Sequence, residues 1–106
     1  FFDNSKFFQF KDLCEKKGID VPIIPGLKPI STLKQINLIP HRFHCDLPED
    51  LIKALIKCKD NSEARQVGIE WCIQQSKELL DAGVPFLHYY SMGRSSNIKS
   101  VAEAIF

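Results

Sequence analysis

Along most of the chain, apolar residues recur at spacings of three and four, the mark of helices with one buried face. Phe7, Phe10, Leu13 and Cys14 fall on one such face. That helix is expected to start at an Asn4 or Ser5 cap, run to about Lys17 and stop at a left-handed Gly18. Ile19 to Leu27 reads as a short buried strand broken at Pro25-Gly26, with Pro22 at the start of the ladder or on an edge because it lacks an N–H. Pro29 to Thr32 introduce a short helix with Leu33, Ile36, Leu38 and Ile39 on its apolar side, ended by Pro40. After an irregular stretch, Pro48 at the first helical position, followed by Glu49 and Asp50, opens a helix to about Lys57. Its stripe is Leu51, Ile52, Leu55 and Ile56. Asp60-Asn61-Ser62 is a turn and cap, and Glu63 to Ala82 the longest helix, with Ala64, Val67, Trp71 and Leu79 inward and Gly83 closing it.

Val84 to Tyr90 breaks this rhythm. It is nearly all apolar or aromatic and bounded by Gly83 and Gly93, as expected of a strand covered on both faces. Ser95 or Ser96 then caps a last helix with Ile98, Val101, Ala102 and Ile105 inward. Phe1 to Asp3 reads as the end of another strand, with His88 inside the last one as a bonded core histidine. The alternation of strand and helix predicts parallel βα units. Three strands are few for a doubly wound domain but fit the C-terminal portion of a (β/α)8 barrel of ~250 residues, about three βα units over residues 1–106.

Composition changes this picture little. The 106 residues are 44% hydrophobic and 25% charged with a net charge of +1, a globular balance with no electrostatic footprint for nucleic acid or a membrane surface. Opening on Phe1-Phe2-Asp3, without a signal-peptide pattern, reads as a strand cut through its middle, so the chain is taken as a piece of a longer protein. Cys14, Cys45, Cys58 and Cys72 form no Cys-x-x-Cys pair and are expected to be free thiols of a reducing cytoplasm.

Ligands of such folds bind beyond the carboxyl ends of the strands. Arg94 falls there after the last strand and offers a planar fork of donors to a carboxylate or phosphate; the plainer reading is a surface arginine. Pro25-Gly26-Leu27-Lys28-Pro29 lies on the same rim, though turn chemistry alone explains its Pro and Gly. Gln35, one turn into the next helix, could present both a donor and an acceptor to the edge of a heterocycle. His41, His44 and Cys45 lack a fourth ligand and a zinc-like spacing, so no metal is expected. The charges on the helices after residue 48 read as solvated faces. Dinucleotide, P-loop and nucleophile-elbow motifs are absent from the sequence.

Taken together, Phe1-Phe2-Asp3, Cys14 to Gly18 with Ile19-Asp20-Val21, Ile24-Pro25-Gly26-Leu27-Lys28-Pro29-Ile30-Ser31, Lys34-Gln35, and Gly83 to Tyr90 with Arg94 resemble the 5,10-methylenetetrahydrofolate reductase family of flavin-dependent (β/α)8 barrels. The likeness spans essentially the whole chain and is weakest between His41 and Glu63. It implies an enzyme with bound FAD. NADH or NADPH reduces the flavin, which passes a hydride to methylenetetrahydrofolate and gives 5-methyltetrahydrofolate, in one-carbon metabolism and methionine supply. By the same resemblance Gln35 contacts folate or nicotinamide, Arg94 contacts substrate, and Ile39 stands where some members place an aromatic against the ligand. The family's acidic proton donor and nearly all its FAD contacts fall before Phe1. No catalytic or cofactor-binding residue is therefore expected within the chain, which alone should be inactive. A cytoplasmic homo-oligomer is implied, with open strand edges inviting self-association.

Two other readings remain open at this stage. One is a barrel enzyme of another family holding a phosphorylated ligand on Arg94; the other is a non-catalytic half-barrel module that dimerises through its strand edges.

Overall fold

The computed structural model describes residues 1–19, 21, 23–33, 35, 47–90 and 96–106. In order, these form helix α1 (Asn4–Lys16), strand β1 (Gly26–Leu27), helices α2 (Glu49–Ile56) and α3 (Asn61–Asp81), strand β2 (His88–Tyr89) and helix α4 (Ser96–Ile105). The two strands pair in parallel, Gly26 with His88 and Leu27 with Tyr89. The chain between them crosses over through α2 and α3, so the expected βα unit is present.

α3 is the element on which the rest packs. Its first turns face one apolar cluster made with Phe2, Ile30, Leu47, Leu51 and Leu55. Further along, Ile69, Cys72 and Leu79 join a second cluster with Phe7, Leu27, Val84 and Val101. The helix begins where an Asp60 carboxylate oxygen accepts the Glu63 N–H at 3.0 Å. The Glu63 carboxylate reaches back and accepts the Lys59 N–H, one residue ahead of the cap. It ends ahead of Gly83, which has φ +89° as the left-handed stop requires.

Several expectations are corrected. Asp3, not Asn4 or Ser5, caps α1: its carboxylate accepts the Ser5 N–H at 2.9 Å. Pro48 occupies the cap position of α2 rather than its first helical position. Phe10 and Leu13 are exposed, leaving Asn4, Phe7 and Cys14 as the buried side of α1.

Phe1 to Asp3 is extended at its end but joins no strand; among the described residues the sheet has two strands, not three. The carbonyls of Phe1 and Phe2 accept instead from α3 side chains, Gln75 Nε2 at 3.4 Å and Trp71 Nε1 at 2.8 Å. Among the described residues of the expected Ile19 to Leu27 run, β1 is likewise confined to Gly26 and Leu27, between Pro25 and the Pro29 that follows.

The covering of β2 also differs. Phe86 is 64% and Tyr90 50% exposed, and His88 is exposed with them, whereas Leu87 and Tyr89 pack on the helices. The strand is covered on one face, and His88 is not a core histidine. Its ring lies edge-on to Tyr90, with centroids 4.6 Å apart.

Candidate functional site

A cavity of about 660 Å³ opens at the carboxyl end of the sheet, where the chain leaves β1 and β2 and where α3 and α4 begin. Lys28, Gln35, Asn61, Arg65, Tyr90 and Asn97 are among its walls. The volume is in the range of small-ligand sites.

Of the sequence-derived candidates, Gln35 and the Lys28 and Pro29 end of the rim loop line this cavity. The backbone N–H of Gln35 closes a turn on the Thr32 carbonyl at 3.2 Å. Its side-chain oxygen accepts the N–H groups of Ser31 at 2.6 Å and Thr32 at 3.2 Å. An N–H can be accepted only by the amide oxygen, so these bonds fix the orientation of the side chain. The expectation that Gln35 offers both a donor and an acceptor is therefore corrected: the oxygen is spent on the loop, and the NH2 is what remains for a ligand. Arg94 and Ile39 lie outside the described residues.

Other walls were not singled out from sequence. Asn61 accepts the Leu33 N–H at 3.0 Å, fastening the loop after β1 to the start of α3. The Arg65 Nε donates to the side-chain oxygen of Asn97, bridging α3 and α4. Arg65 carried no sequence signal beyond being a cation on a helix, and Asn61 read as a turn residue. Tyr90 follows β2, its N–H donating to the Leu27 carbonyl at 2.9 Å. Its ring covers Gly26 so closely that a methyl group there would meet it at 2.5 Å. Without a side chain at that position the phenol end of the ring can approach the strand.

No carboxylate is among the described residues lining the cavity. These described residues can bind and orient a ligand, and none of them is a carboxylic acid that could donate a proton. Cys72 is no nucleophile, since burial pushes its thiol up to about 12 against a weak opposing bond to Ser76. Burial also raises the Tyr89 phenol, which faces the Ser76 hydroxyl at 2.7 Å inside the fold. Cys14, Cys58 and Cys72 are free. His41, His44 and Cys45 lie outside the described residues, and among those described no three His, Cys, Asp or Glu side chains come together as metal ligands. Among the described residues, no helix is long and apolar enough to cross a membrane.

Comparison with known proteins agrees with the likeness drawn from sequence. The family model for methylenetetrahydrofolate reductase matches residues 1–105. Relatives include a probable methylenetetrahydrofolate reductase (NADPH) of Caenorhabditis elegans, 33% identical over 99% of this chain and 16% of its own length. Methylenetetrahydrofolate reductase (NADH) 1 of Arabidopsis thaliana is 34% identical over 87% of this chain and 16% of its own. The 5,10-methylenetetrahydrofolate reductase of Escherichia coli is 32% identical over 99% of this chain and 36% of its own. The chain thus spans between about a sixth and about a third of these relatives. With 105 of its 106 residues matched, the chain belongs to the methylenetetrahydrofolate reductase family.

Proposed function

We propose that these residues are the C-terminal part of a (β/α)8 barrel that reduces 5,10-methylenetetrahydrofolate to 5-methyltetrahydrofolate with NADH or NADPH. One observation carries the reading: Gln35, which the family likeness assigns to substrate, lines the 660 Å³ cavity at the carboxyl end of a parallel βα unit. The one-sided burial of β2 supports the barrel. Leu87 and Tyr89 face helices while Phe86, His88 and Tyr90 face outward, the alternation of a strand with helices outside and a barrel interior within.

FAD, when bound, relays a hydride from the nicotinamide to the folate. The described residues contain no glycine loop to cradle a dinucleotide, so no step through FAD is assigned to them. What this chain contributes is the folate side of the site, with Gln35 donating to the ligand and Arg94 and Ile39 completing its contacts. No carboxylate is among the described lining residues, so the proton donor is assigned to the rest of the barrel. The same reading makes the whole protein a cytoplasmic homo-oligomer that serves methionine supply.

The test is to purify the full-length protein, record its flavin spectrum, and follow NADH and NADPH oxidation with and without methylenetetrahydrofolate. Folate-dependent oxidation by a yellow protein is expected. A colourless protein indifferent to folates, with phosphate bound instead, would replace this reading with that of a phosphate-binding barrel.

A further inference from the structure

The amide side chains around the cavity have one property in common. Each has its oxygen occupied by a protein N–H: Gln35 by Ser31 and Thr32, Asn61 by Leu33, and Asn97 by the Arg65 Nε. Each keeps its NH2 group as a donor for a ligand. Two half-buried cations, Lys28 and Arg65, share the same walls. The nearby carboxylates of Asp60 and Glu63 are engaged with backbone N–H groups at the start of α3 and do not line the cavity.

We infer that the cavity is a subsite for the anionic, acceptor-rich end of a ligand, with Arg65 and Lys28 as its charges and the NH2 groups of Asn61, Asn97 and Gln35 as neutral donors. A carboxylate or phosphate in such a place exchanges hydration for charge-assisted hydrogen bonds. A cationic group would meet two cations and, among the described lining residues, no carboxylate. Under the proposed function two ligands carry such an end, the glutamyl carboxylates of the folate and the phosphates of the nicotinamide dinucleotide. The subsite itself rests on geometry; its assignment to one of these ligands rests on the proposed function.

Two substitutions in the flavin-loaded full-length protein test it. Asn61→Asp keeps an oxygen for the Leu33 N–H and replaces the NH2 with negative charge. Arg65→Gln removes a cation, and Arg65→Lys restores it. Thermal denaturation confirms that each variant is folded. The expected result is a KM raised roughly tenfold by Asn61→Asp and by Arg65→Gln, partly recovered in Arg65→Lys and diminished at high salt. If the KM for methylenetetrahydrofolate rises, and rises more for folates with several glutamates than with one, the carboxylate is the occupant. If the KM for NADH or NADPH rises instead, the phosphate is. If neither KM moves by more than about twofold, the subsite is refuted.

A parental protein with no folate reductase activity would defeat the proposed function and leave the subsite to a direct probe. Inorganic phosphate should then raise the melting temperature of the parent and not that of Arg65→Gln. No phosphate-dependent shift in the parent would overturn the inference.

Discussion

Gly68 of α3 lies against the backbone of Ile30, so close that a methyl group on it would sit 1.8 Å from the Ile30 carbonyl oxygen and 2.7 Å from its carbon. The obstacle is main chain and cannot swing aside. This contact sets the distance between the longest helix and the segment that leads from β1 into the cavity. Gly68→Ala gains about 1 kcal/mol of helix propensity but forces the two elements apart, for a net loss of about 2 kcal/mol or more. Urea denaturation of the two proteins measures this. Equal or greater stability in the alanine variant would mean that α3 does not dock at this distance.

Variants of Gln35 separate its support of the loop from the ligand contact proposed for it. Gln35→Glu keeps an oxygen for the Ser31 and Thr32 N–H groups and removes the donor. Gln35→Leu removes both and strands two half-buried N–H groups, at a cost of about 1–2 kcal/mol. The expected pattern is a glutamate variant of nearly parental stability with weakened folate binding, and a leucine variant that loses both. Melting temperature and folate titration, measured on each, decide it. Undiminished folate binding by the glutamate variant would remove Gln35 from the ligand.

The glycine stops were legible because one residue carries each signal, Gly18 and Gly83 both adopting the left-handed conformation. Asp60 caps α3 as its turn suggested, whereas the caps of α1 and α2 lay one residue away from their expected places. Burial of β2 was not legible. An apolar run shows that a strand can be covered, not that both faces are, and Phe86, His88 and Tyr90 face outward here. The orientation of the cavity amides could not be read in advance either, since the N–H that fixes Asn61 comes from Leu33, 28 positions earlier, and Asn97 is fixed from a different helix. Gln35 was singled out by its place one turn after the rim loop and by the family likeness; as a residue type alone it resembled any solvated glutamine. Arg65 was passed over because nothing local distinguishes a cavity cation from a surface one.

Cys72 should resist thiol reagents. Its sulfur is buried in the second apolar cluster, and burial holds its thiol near 12, so the reactive thiolate is scarce at pH 8. Alkylation by iodoacetamide, followed site by site in a mass spectrometer, should leave Cys72 unmodified in the folded protein and modify it once urea unfolds the chain. Rapid native labelling at Cys72 would mean that α3 and β2 open readily at Tyr89.

Asp3 makes the first helix sensitive to acid. Its carboxylate is held below the ordinary value of 3.8 chiefly by the Ser5 hydroxyl at 2.7 Å, with burial opposing and the Ser5 N–H and Lys6 assisting. A carboxylate whose pKa is lower folded than unfolded stabilises the fold above the unfolded value. That contribution is lost as the pH falls through the folded one. Asp3→Ala should therefore cost about 1 kcal/mol at neutral pH, the usual worth of such a cap. The gap between parent and alanine variant should narrow as the pH falls below about 4. Asp3→Asn caps without titrating, so its advantage over alanine should stay level across the same range. Denaturation midpoints of the three proteins between neutral pH and about 3 supply the comparison, in a window set by the unfolded carboxylate. A parent–alanine gap that stayed level to the acid end would show that the cap does not depend on the charge of Asp3.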